Sequence, residues 1–170
     1  YTVANVNEWM HFYGKYNFFQ NPNVTIHITG EIDMTGQTGF ASIYNPQFNL
    51  DGHGNTIKNW GSASAPQKTM GMFRFNCDDG KMAYIKNLTL ENCHTTGSGG
   101  SDSTLLVTLN ASDNTGRAIS NNFTFENVHM KNCSLTAEAA RSGFFIANYV
   151  NSASDYTITL KNCSLTGSTL

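Results

Sequence analysis

Four segments of the chain superpose without gaps: Asn-Thr-Ile-Lys-Asn-Trp at 55–60, Leu-Thr-Leu-Glu-Asn-Cys at 88–93, Val-His-Met-Lys-Asn-Cys at 128–133 and Ile-Thr-Leu-Lys-Asn-Cys at 158–163. Ile57, Leu90, Met130 and Leu160 make one apolar column, and Lys58, Glu91, Lys131 and Lys161 make the charged column beside it. Such alternation predicts half-buried strands. The next column is Asn59, Asn92, Asn132 and Asn162, and the last two copies continue identically as Asn-Cys-Ser-Leu-Thr. A second strand class precedes the later copies at 71–75, 105–109 and 143–147, and the polar stretches 95–103 and 110–122 read as loops.

Strands that recur in order, about 30 to 40 residues apart and with no helix between them, predict a coil whose turns stack in parallel. That coil is assigned to residues 24–170. Residues 1–23 differ: Val3, Val6, Trp9, Met10 and Tyr13 recur at helical spacing, and Asn5 with Glu8 resembles a capping box. The segment is expected to be a short capping helix over the first coil. The repeat is still running at Leu170, so coils are expected to continue beyond the C-terminus or to be met there by another subunit, in end-to-end self-association.

Composition narrows the partners. Charged residues are 13% of the chain and the formal charge is -2, with no basic stripe for phosphates, so nucleic acid is not an expected partner. No apolar run approaches the ~20 residues that span a bilayer, so no membrane insertion is expected. Asn, Ser, Thr and Gly are abundant, which suits neutral, hydrogen-bonding turns.

Phe48-Asn49-Leu50-Asp51-Gly52-His53-Gly54-Asn55-Thr56-Ile57 and Ile85-Lys86-Asn87-Leu88-Thr89-Leu90-Glu91-Asn92 resemble repeats of the right-handed parallel β-helix, or pectate-lyase-like, superfamily. The resemblance covers roughly residues 24–170. It implies an all-β solenoid of the kind found in secreted and cell-surface proteins. Gly52-His53-Gly54 and Asp78-Asp79 match short polygalacturonase motifs, but in the reverse order and without that family's Arg-x-Lys element. No catalytic residue is therefore assigned. Asp33, Asp51 and Asp78-Asp79 read as turn residues, because carboxylates are too sparse to face each other across a sugar.

The Asn column is the strongest physical signal: Asn tolerates the left-handed bend of a tight turn, and its amide can bond to the same amide one coil away. It is expected to be an interior structural ladder. Cys93, Cys133 and Cys163 follow in the same register and, with Cys77, are the disulfide candidates; buried free thiols are the favoured alternative. Of the Asn-x-Ser/Thr sequons, Asn23, Asn87, Asn110 and Asn122 are the glycosylation candidates, Asn110 and Asn122 foremost as loop residues. The five histidines show no metal-ligand spacing, and neither a metal nor another cofactor is expected.

The expected function is an extracellular, non-enzymatic β-helix segment of an adhesin, stalk or filament, with carbohydrate or a host or cell-surface ligand as partner. The alternative is a carbohydrate-active β-helix enzyme, a lyase or hydrolase acting on acidic polysaccharide.

Overall fold

The structure is a computed structural model that describes residues 1–170 apart from 20, 39, 41, 76–81, 98–102, 112–121, 137–140 and 151–156; for 18, 19, 103, 110, 111 and 148–150 it describes the backbone alone. Cys77, Asp78-Asp79 and most of the two expected loops lie outside the described residues.

The chain begins with a strand, Thr2–Val3, and one α-helix, α1, at Val6–Lys15. The cap forms as the sequence predicts at its first turn: the Glu8 N–H donates to Asn5 Oδ1 at 3.1 Å. Glu8 Oε2 accepts from the Ala4 N–H at 2.7 Å, one residue further back than in a standard capping box. Trp9 and Phe12 on the inner face of the helix are fully buried. Trp9 stacks on Phe40, and Phe12 meets the edge of Phe48 with ring centroids 5.2 Å apart. Thr2–Val3 pairs with Thr25–Ile28, so the N-terminal segment adds a strand as well as a helix.

The remainder is strand and turn, and every strand pairing among the described residues is parallel. The expected all-β class with parallel pairing is thus borne out. The largest sheet runs Thr2–Val3, Thr25–Ile28, Asn49–Asp51, Tyr84–Glu91, Phe123–Lys131, Ile158–Lys161. Ile32–Asp33, Thr56–Lys58 and Ser164–Thr166 extend it beyond a bend. A second sheet stacks Gln67–Lys68, His94–Thr96 and Ser134–Thr136, and a third stacks Ile43–Tyr44, Phe73–Phe75, Val107–Ala111 and Ile146–Val150. The strands that follow Asn49, Tyr84 and Phe123 therefore visit these three sheets in the same order. Among the described residues no helix is long and apolar enough to cross a membrane.

Core side chains line up by register. Ile26, Leu50, Ile85 and Phe125 form one fully buried column, and Ile32, Ile57, Leu90 and Met130 form another. Between the two, the long strands show a break in alternation. Lys86 and Asn87 both point outward between buried Ile85 and Leu88, and Glu126 and Asn127 do the same between Phe125 and Val128. The cause is backbone: Asn87 and Asn127 each have φ 53°, and a left-handed residue bends the strand and resets its pleat. Five residues on, Asn92 and Asn132 repeat the device, each with φ 51°.

The half-repeat of apolar, charged, left-handed Asn, apolar therefore occurs twice per pass, which corrects the alignment of the last copy. Leu160 pairs with Phe125 and Lys161 with Glu126, whereas Leu165 is the residue that pairs with Met130. Ile-Thr-Leu-Lys-Asn-Cys at 158–163 thus stacks on Phe-Thr-Phe-Glu-Asn-Val at 123–128, one bend earlier than its closest sequence match. In consequence Asn162 and Cys163 leave the columns expected for them. The position above Asn132 is taken by Gly167, with φ 60°.

Candidate functional site

Two ladders of side-chain amides run up the outer surface of the large sheet, one at each bend. In the first, Asn87 Nδ2 donates to Asp51 Oδ1 at 3.0 Å, Asn127 Nδ2 to Asn87 Oδ1 at 2.8 Å, and Asn162 Nδ2 to Asn127 Oδ1 at 2.7 Å. In the second, Asn59 Nδ2 donates to Asp33 Oδ1 at 2.9 Å and Asn92 Nδ2 to Asn59 Oδ1 at 2.7 Å. The amides all point their donors toward the N-terminal end, and each ladder terminates on a carboxylate, an acceptor-only group that satisfies the lowest donor. Of the four residues expected to form one interior ladder, Asn59 and Asn92 bond to each other while Asn162 belongs to the other ladder; Asn92, Asn132 and Asn162 are exposed and Asn59 is half-buried, because the left-handed bend turns the amide away from the core.

Asp33 and Asp51 each accept from the backbone two residues on, in a turn. Thr35 N–H and Oγ1 donate to Asp33 Oδ1 at 3.0 and 2.6 Å, and the His53 N–H donates to Asp51 Oδ1 at 3.0 Å. Hydrogen bonds from Thr35 and then Asn59 pull the Asp33 carboxyl down to about 2. Partial burial raises Asp51, but hydrogen bonds from Asn87, the His53 backbone and Lys86 outweigh it and leave that carboxyl below its ordinary range.

Charges beside the ladders alternate in sign from pass to pass: Asp51, Lys86, Glu126, Lys161 along one and Asp33, Lys58, Glu91, Lys131 along the other. Strands lie about 4.8 Å apart, so a column of one sign would repel itself, and alternation gives each charge an opposite neighbour. Lys86 Nζ lies 3.3 Å from Asp51 Oδ2, and Lys161 Nζ lies 2.6 Å from Glu126 Oε1.

Asp51-Gly52-His53-Gly54-Asn55 departs from the half-repeat by insertion. Asp51 pairs with Lys86 and Thr56 with Thr89, so residues 52–55 span what Asn87 and Leu88 span in the next pass. Gly52 is required because a Cβ there would lie 2.3 Å from the Asn87 carbonyl oxygen. Asn55 Nδ2 ties the insertion down by donating to the carbonyls of Ile28 and Gly52 at 2.8 and 3.0 Å. His53, held at φ 49°, is thrust outward, and its Nε2 comes 2.7 Å from His27 Nδ1. Asp51 Oδ2 is 3.8 Å from the same Nε2.

His53 also lines a groove of about 480 Å³ with Gly54, Asn87, Leu88, Thr89, Asn127 and His129. His129 Nδ1 hydrogen-bonds Ser164 Oγ across passes at 2.8 Å. The lining holds two imidazoles, a hydroxyl and two amides but no carboxylate, so it is equipped to hydrogen-bond a neutral polar ligand. It lacks the facing carboxyl pair of a glycosidase.

Sequence reasoning missed the His27–His53 contact, since the two residues lie 26 positions apart in the chain. The available signal was the period: His27 is the register partner of Asp51 one pass below. The other site residues fall as follows. Cys93 and Cys133 are buried free thiols and Cys163 is a half-exposed one; their sulfurs approach the carbonyls of Ile57, Leu90 and Phe125 respectively, which places Cys163 off the column of the other two. Asn23 and Asn122 are exposed. Asn110 lies in the strand Val107–Ala111 and not in a loop. Asn87 is committed to the ladder through both ends of its amide, so it is a poor glycan acceptor.

No protein-family model, curated protein or solved structure matches the chain.

Proposed function

We propose that the chain is an extracellular structural or adhesive segment, wound as a right-handed parallel β-helix of the pectate-lyase-like kind and non-enzymatic. The observation that carries this reading is the pair of Asp-rooted amide ladders flanked by alternating charges. Most charged and amide side chains on the largest sheet are occupied in holding one pass to the next, as a stalk requires. Adhesion falls to the groove between the bends, whose amide, hydroxyl and imidazole lining suits the hydroxyls of a neutral carbohydrate.

A neutral-glycan array probed with the folded chain tests the reading. Binding that falls with His53→Ala and Asn127→Gly, without release of reducing ends or unsaturated products from pectic polysaccharides, is the expected result. Turnover of such a polysaccharide, abolished by Asp51→Asn, would instead establish the carbohydrate-active alternative.

A further inference from the structure

We propose that His27, His53 and Asp51 form a binding site for a divalent first-row transition ion. One ligand atom from each lies within 4.8 Å of the others. Two imidazoles and one carboxylate are a donor set that Zn(II) and its neighbours accept, with a further coordination position open to water or ligand.

Three observations support it. The first is the close approach of the two rings, 2.7 Å between His27 Nδ1 and His53 Nε2. Ligand atoms around a tetrahedral ion at about 2.0–2.2 Å stand roughly 3.3 Å apart, so the rings need to part by only about half an ångström to admit the ion. The second is the backbone: among the described residues with positive φ other than glycine, His53 alone is not asparagine. The fold uses Asn wherever it merely needs a left-handed bend, and an imidazole at such a bend is a substitution the turn itself does not ask for. The third is the support behind the carboxylate. Asp51 Oδ1 is already oriented by Asn87 Nδ2 and the His53 N–H, which leaves Oδ2 toward the rings. Ligating carboxylates are commonly held in this way.

Lys86 opposes the ion, because its Nζ lies 3.3 Å from Asp51 Oδ2. It has somewhere to go: the ammonium also sits 5.0 Å from the centre of the Tyr84 ring, whose face attracts a cation. Since His53 lines the groove, an ion here would stand at the groove's edge and offer its open position to whatever the groove holds.

Calorimetric titration of the tag-free chain with Zn(II) tests the site, with Co(II) absorption reporting coordination geometry. One ion per chain is expected, with affinity reduced at least tenfold in His27→Gln and in His53→Gln, unchanged in His11→Gln and raised several-fold in Lys86→Met. Asp51 is left intact because it also roots a ladder. In the unsubstituted chain, the ring resonances of His27 and His53 should shift together on Zn(II) addition, a readout that depends on no variant. Absence of binding at millimolar Zn(II), binding indifferent to both substitutions, or ring shifts confined to other histidines would overturn the proposal.

Discussion

Met130 and Leu165 occupy the same column one pass apart, yet Met130 is fully buried and Leu165 is 44% exposed. Phe125 and Leu160 differ in the same way along the neighbouring column. At the other end the column is closed: Ile26 and Ile32 are fully buried, and Trp9 and Phe12 of α1 are buried against the same core. In a stacked fold a side chain's hydrophobic value is thus set by whether a pass or a cap lies beyond it, and not by its place in the repeat.

The largest test of that contrast is truncation at matched positions. Leu90→Ala should cost about 2–5 kcal/mol by opening a cavity between two passes, whereas Leu165→Ala should stay within about 0.5 kcal/mol. Chemical denaturation of the two variants measures both, and equal losses would mean that the last pass is covered in solution.

The ladders sharpen the same comparison. Asn127 both donates and accepts within its ladder, while Asn162 donates to Asn127 from the last described pass. Asn127→Ala should lower stability by about 2 kcal/mol, since it leaves neighbouring amides short of a partner and places Ala at a left-handed bend. Asn127→Gly should recover the backbone part of that loss, roughly 1 kcal/mol. Asn162→Ala should cost less than Asn127→Ala, and thermal melts of the three variants would show a reversed order if the ladder were ornamental.

The smallest effect lies at the roots. Asp33 is held at about 2 against a reference of 3.8. A carboxyl lowered on folding stabilises the protein above its unfolded value, so the contribution is complete above about pH 4 and is lost as pH falls through about 2. Asp33 is 44% exposed at its side chain, which screens the effect to a modest one. Asp51 is shifted the same way. Melting temperature followed from pH 5 to pH 2 should fall less steeply in Asp33→Asn than in the parent, and parallel curves would dismiss Asp33 as the root of its ladder.

Much of the architecture was legible because a stacked fold repeats its chemistry at each level. Apolar, charged and Asn positions recur, and Asn is the residue that bends to the left at least cost, so parallel strands, helical cap and amide ladder all follow from local preference. Register was the part that misled. The half-repeat recurs at both bends, so Leu-Lys-Asn-Cys at 160–163 fits either one by sequence, and only the pairing of Lys161 with Glu126 and of Asn162 with Asn127 decides between them. Side-chain direction was hidden for a related reason: a left-handed residue breaks the period of two, and no count along one strand reports that both Lys86 and Asn87 face outward.

The candidate metal site is the extreme case. His27, Asp51 and His53 carry no spacing that marks them, and they meet because one pass lies on the next and a Gly-flanked insertion turns one ring back onto the other. Sequence alone determined what each pass is made of, since strand, bend and cap are local choices. Tertiary structure decided which pass rests on which residue, because that depends on the length of chain between bends, a quantity no single repeat contains.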